Sequence, residues 1–70
     1  MELKKFAKSL VESVNEDYSE SSAIKIANKI NIAKFTFSER EEILNYFVAN
    51  ESISAHLDFV NSVRSKVNKN

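Results

Sequence analysis

The chain has no cysteine, no glycine, no proline and no tryptophan in its 70 residues. Without cysteine there is neither a disulfide framework nor a thiolate metal site, which fits a reducing compartment such as the cytoplasm. Average composition would supply about 7% glycine and 5% proline. Their absence means that other residue types make every turn, and that hairpin pairs such as Asn-Gly cannot occur. No apolar run approaches the roughly 20 residues of a membrane span. Residues 1–14 mix charged with apolar side chains instead of building the apolar centre of a secretory signal. A soluble, cytoplasmic protein with no membrane association is therefore expected. Ten Lys and Arg balance ten Asp and Glu, so any steering of a charged partner has to come from local patches rather than from net charge.

What is present is helical periodicity. Leu3, Phe6, Ala7, Leu10, Val11 and Val14 follow the three-and-four spacing of one apolar helix face, as do Ala23, Ile26, Ala27 and Ile30, with Ile24 off that face. Ile43, Leu44, Phe47 and Val48 form a third set with Tyr46 on its flank, and Ile53, Leu57, Val60, Val63 and Val67 a fourth. In a glycine-free chain, asparagine is the residue best suited to the left-handed turn that ends a helix. Asn15, Asn31, Asn50 and Asn68 are accordingly read as stops, giving helices near 2–15, 19–32, 38–49 and 52–67. Thr36 with Glu39, and Ser38 with Glu41, are overlapping capping signatures that start the third helix; Asp17 with Glu20, and Ser19 with Ser22, compete to start the second. Four amphipathic helices with short connections predict an all-α, compact antiparallel four-helix bundle, a single helical domain over residues 1–70. At this length only about 60% of the unfolded surface is buried, and the apolar faces are compatible with either a monomer or a weak dimer.

Catalytic and cofactor chemistry lack their usual parts. The one histidine, His56, falls on the apolar side of the last predicted helix with no acid three or four residues away, and is read as a core or rim residue with a hydrogen-bond partner. The pairs Glu12–Glu16, Glu16–Glu20 and Glu39–Glu42 share helix faces, but acid–base work needs a cleft and a raised pKa between them. Glu39 to Glu42 reads as an acidic first turn facing a positive helix N-terminus. There is no glycine-rich phosphate loop and no second histidine, so no enzyme, no cofactor and no metal is expected. A hydrolase would need a paired-carboxylate cleft with a metal.

The charges are distributed unevenly. Lys29 and Lys34 end the second helix, and Arg64, Lys66 and Lys69 end the fourth, where the helix dipole favours cations. The first helix is the reverse, with Lys4, Lys5 and Lys8 at its positive start and Glu12 and Glu16 at its negative end. In an up-down-up-down arrangement these eight cations share one pole, interrupted by Glu39 to Glu42, while Glu12, Glu16, Asp17, Glu20 and Glu51 take the other. Only Lys8–Glu12 and Glu2–Lys5 suggest ion pairs within a helix. The cationic pole is read as a candidate phosphate-binding surface against the plainer alternative of solvated helix ends. Phe35, Phe37, Tyr46 and Phe59 add a stacking surface for unpaired bases if exposed, and end plugs for the core if buried.

The Met1-Glu2-Leu3-Lys4-Lys5-Phe6-Ala7-Lys8 opening and the asparagine-punctuated helices resemble the small accessory proteins of T-even phages, in particular the short helical companion of the UvsW helicase. That group is similar to HRDC, the helical nucleic-acid-binding module of RecQ-type helicases. The resemblance implies a non-enzymatic accessory protein in host cytoplasm that binds single-stranded or branched DNA in replication, recombination or repair, with a helicase or other replication or recombination protein as a further partner. It assigns no contact residue. The competing expectation is a protein-binding modulator of a phage or host enzyme, acting through a helix face or the acidic pole.

Overall fold

The computed structural model describes residues 2–67, and Asn68 and Lys69 of the sequence reading lie outside them. It is all-helical, with no strand among the described residues: α1 (Leu3–Val14), α2 (Glu20–Ile32), α3 (Phe37–Val48), α4 (Glu51–Ser54) and α5 (Leu57–Val67).

The caps explain most of these boundaries. Thr36 and Glu39 form a reciprocal box, with the Glu39 N–H donating to Thr36 Oγ1 at 3.2 Å and the Thr36 N–H donating to Glu39 Oε1 at 2.9 Å. Of the two overlapping signatures this is the one used, so α3 begins at Phe37. At α2 the Ser19–Ser22 start is the one used, and Asp17 caps nothing in the helix itself. Ser19 Oγ accepts from the Ser22 N–H at 3.2 Å, and Asp17 Oδ1 accepts from the Ser19 N–H at 3.1 Å, fixing the turn before the cap.

Asparagine punctuates less uniformly than expected. Asn15 ends α1 in the left-handed region at φ 49°, followed by Glu16 at φ 63°. Asn31 stays inside α2, and the left-handed residue at that junction is Lys34 at φ 58°. Asn50 is extended and begins a helix, its side chain accepting from the Ile53 N–H at 3.2 Å. The amide side chain serves either end of a helix, and residue type alone does not say which.

The fourth expected helix is divided. The Ala55 N–H bonds back to the Glu51 carbonyl and the His56 N–H to the Ile53 carbonyl, closing α4, while the His56 carbonyl accepts from Val60 and opens α5. The break shifts the helical phase. Ile53, Val60, Val63 and Val67 remain buried, Phe59 joins them, and Leu57, expected in the core, is 68% exposed.

α1 packs chiefly on α3, and α2 on α5. Tyr18 and His56 meet at the starts of α2 and α5, and Asn31 meets Lys66 at their ends, so these two helices run in the same direction. Ala7, Ala23 and Ala27 have essentially no exposed surface; their small side chains permit close helix approach. Leu10, Ile26, Ile30, Ile43, Leu44 and Phe47 fill one continuous core, each such side chain contributing about 1.5–3 kcal/mol by leaving water. The radius of gyration is 10.7 Å, against about 11 Å expected for a compact chain of this length.

Candidate nucleic-acid interface

Two contacts gather the cation-bearing helix ends. The Phe6 and Phe35 rings meet edge-to-face at 4.9 Å and 71°, tying the first turns of α1 to the α2–α3 connection that carries Lys34. Asn31 Nδ2 donates to the Lys66 carbonyl at 3.4 Å, tying the end of α2 to the end of α5. Lys4, Lys5, Lys8, Lys29 and Lys34 are exposed and Arg64 is half-buried. None of these six has a carboxylate within 4.0 Å among the described residues.

Lys66 is brought to this end by its backbone but leaves it by its side chain. Its Nζ reaches Glu20 Oε2 at 2.6 Å, at the first residue of α2, while Ser62 Oγ donates to Glu20 Oε1 at 2.5 Å. The Lys66 bond, then the Ser62 bond, hold the Glu20 carboxyl below the usual range. This cross-helix pair joins residues 46 positions apart, which helical spacing cannot reveal. The expected Lys8–Glu12 and Glu2–Lys5 pairs do not form. Glu2 has extended φ/ψ of −82° and 122°, which removes the helical geometry an i,i+3 contact needs. Lys8 precedes Glu12, the less favourable order.

The opposite end is built on a stack. The Tyr18 and His56 rings lie 3.6 Å apart and 6° from parallel, and Tyr18 also meets Phe59 edge-on at 5.5 Å. His56 is exposed in the α4–α5 break, not seated on a helix face, and its Nδ1 lies 2.9 Å from the Ser52 carbonyl. Asp17, beside this stack, is held below the usual carboxylate range by its side-chain and backbone bonds to Ser19.

The aromatic residues separate into two classes. Phe59 is buried and Phe35 half-buried, both packed on the core, whereas Phe37 is 64% and Tyr46 41% exposed. Tyr46 sits in the seam between α1 and α3. On one side it lines a groove of about 460 Å³ with Lys8, Val11, Glu12 and Asn50; on the other it lines a hollow of about 140 Å³ with Leu3, Lys4 and Glu42. The seam's mixed apolar and charged lining was not foreseen, because helical periodicity orders residues within α1 and within α3 but does not say which faces meet.

Among the described residues no three His, Cys, Asp or Glu side chains cluster in a way that could hold a metal ion, and no helix is long and apolar enough to cross a membrane. No family model, curated protein or solved structure matches the chain.

Proposed function

We propose that the protein is a small non-enzymatic accessory module that binds single-stranded or branched DNA weakly through its cationic end, in replication, recombination or repair. What supports this reading is that Lys4, Lys5, Lys8, Lys29, Lys34 and Arg64 have no carboxylate within 4.0 Å among the described residues, and that the exposed ring of Tyr46 lines one hollow with Lys4 and another with Lys8. α4 and α5 are taken as one bent element, so that the helices act as a compact four-helix bundle in which helices successive in the chain run antiparallel while the closely packed pair α2 and α5 run in the same direction. Phosphates meet Lys4, Lys5, Lys8, Lys29, Lys34 and Arg64, and Tyr46 offers a face to an unpaired base. Lys66, already engaged by Glu20, contributes less than the other cations. Action in the cytoplasm beside a helicase or related protein accords with the phage-accessory resemblance.

The test is fluorescence anisotropy with a labelled single-stranded oligonucleotide across a salt series. Reversing Lys29, Lys34 and Arg64 to Glu should weaken binding and flatten its dependence on salt. Tyr46→Ala should lower affinity by about 1–3 kcal/mol at every salt concentration. Unchanged affinity in the triple variant would reject this surface.

A second reading, a protein-binding modulator, is favoured by the exposure of Ile32 at 77% and Leu57 at 68%. Recovery of a stoichiometric protein partner that Leu57→Asp abolishes, with no DNA binding, would select it.

A further inference from the structure

Among the described residues, α1 is the one helix whose charges run against its own dipole. It has no acid in its first turn, no base in its last and no side-chain cap. Each exposed charge so placed disfavours the helix by about 0.3–1 kcal/mol. Lys4, Lys8 and Glu12 recur at four-residue spacing on α1, Glu16 follows just beyond its end in the left-handed turn, and the four line neighbouring hollows that share lining residues. The hollow holding Lys4 shares Tyr46 with the groove holding Lys8 and Glu12, and that groove shares Val11, Glu12 and Asn50 with a third hollow of about 200 Å³ that holds Glu16. None of the four has an opposite charge within 4.0 Å among the described residues.

This run of two positive charges followed by two negative ones, with Glu42 beside Lys4 at its cationic end, is complementary to itself when reversed about its Lys8 and Glu12 centre. We infer that the occupant of the α1–α3 seam is a second copy of this chain, docked antiparallel about a twofold axis midway between Lys8 and Glu12. Lys8 then faces Glu12 of the partner subunit, Lys4 faces Glu16 of the partner subunit, and symmetry repeats both pairs in the other direction. The two α1 dipoles oppose each other in this arrangement, and each cationic helix start lies beside the acidic end of its neighbour. Half-buried Val11 and exposed Tyr46 supply apolar surface near the axis. The dimer covers Lys4, Lys8 and Tyr46, so it competes with nucleic acid for these three residues and leaves Lys5, Lys29, Lys34 and Arg64 free to bind. It does not depend on the nucleic-acid reading.

The test is sedimentation equilibrium of the full chain without nucleic acid, up to about 1 mM, a limit set by the millimolar to micromolar affinity of small polar interfaces. The K4E/K8E variant turns the run wholly acidic and the E12K/E16K variant turns it wholly basic. Both reversals suit the dipole of α1 better than the native charges do, so each variant should fold, as circular dichroism will verify. Wild type is expected to dimerise, more weakly at high salt. Each variant alone is expected to lose at least about tenfold in association constant, because every facing pair changes from attraction to repulsion. An equimolar mixture of the two variants should regain a one-to-one dimer. A monomeric wild type, a dimer that survives either reversal, or a mixture that fails to associate would each overturn the inference.

Discussion

Lys34 holds φ at 58° in a chain that has no glycine to place there, and replacing it tests how the α2–α3 turn is made. The left-handed conformation costs an L-residue roughly 1–2 kcal/mol through the clash of its β-carbon with the following carbonyl. Glycine avoids that clash but brings an unfolded-state entropy penalty of about 0.4–1 kcal/mol. The difference leaves Lys34→Gly more stable by about 0.5–1 kcal/mol. Lys34→Ala keeps the β-carbon and loses the ammonium, so it should fall near wild type and isolates the backbone effect from the charge. At Lys29, inside α2, the sign reverses, and glycine should cost about 1 kcal/mol relative to alanine. In a domain of this size 1 kcal/mol moves the midpoint by about 4–8 °C. Thermal unfolding followed by circular dichroism should place Lys34→Gly above Lys34→Ala by about 2–8 °C, and Lys29→Gly below Lys29→Ala. A Lys34→Gly protein that melts below its alanine counterpart would refute the reasoning.

Thr36→Ala removes one half of the α3 capping box and should cost about 1 kcal/mol in chemical denaturation; an unchanged midpoint would show that Glu39 alone suffices. Phe47→Ala empties a fully buried site at the centre of the core and should cost about 3–5 kcal/mol, a large part of the roughly 3–10 kcal/mol available to a chain this short; denaturation in urea will show it. Glu20 has a folded-state pKa lowered by Lys66 and then Ser62, so its stabilisation is complete above the unfolded value of about 4.3 and is lost as pH falls through the folded one. The stability gap between wild type and Glu20→Gln should therefore be greatest at neutral pH and close on acidification, and a gap that widened in acid would contradict the pairing. Arg40 has an Nε enclosed without an acceptor among the described residues, so Arg40→Met, which keeps the aliphatic stem, should leave stability within about 1 kcal/mol of wild type.

Helical periodicity made the apolar faces legible because each core residue repeats at the spacing its own helix imposes. Ala7, Leu10, Val14, Ala23, Ile26, Ala27, Ile30, Ile43, Leu44 and Phe47 are all buried as that spacing required. The α4–α5 break escaped because Ile53 and Val60 keep a helical separation across it. Ala55 and His56 carry no glycine or proline to announce a stop, and the turn is held by backbone bonds that any residue can make. The candidate interface was half legible. Charge at helix ends follows from position in the sequence, and the Phe6–Phe35 and Asn31–Lys66 contacts join the helix ends that carry Lys4, Lys5, Lys34 and Lys66. The diversion of Lys66 to Glu20 and the exposure of Tyr46 in the seam depend on which helices pair, and single-helix periodicity does not contain that information.

The proposed function turns on whether the cationic end binds DNA. The most direct measurement is a titration of isotope-labelled protein with single-stranded, forked and duplex DNA at low and then near-physiological salt, following backbone amide shifts. Salt-sensitive shifts confined to residues 4–8, 29–34 and 64–66 and to Tyr46, larger for single-stranded or forked DNA than for duplex, are the expected result. No shift with any DNA at low salt, or shifts centred on the acidic end at Glu16, Asp17 and Glu51, would contradict it.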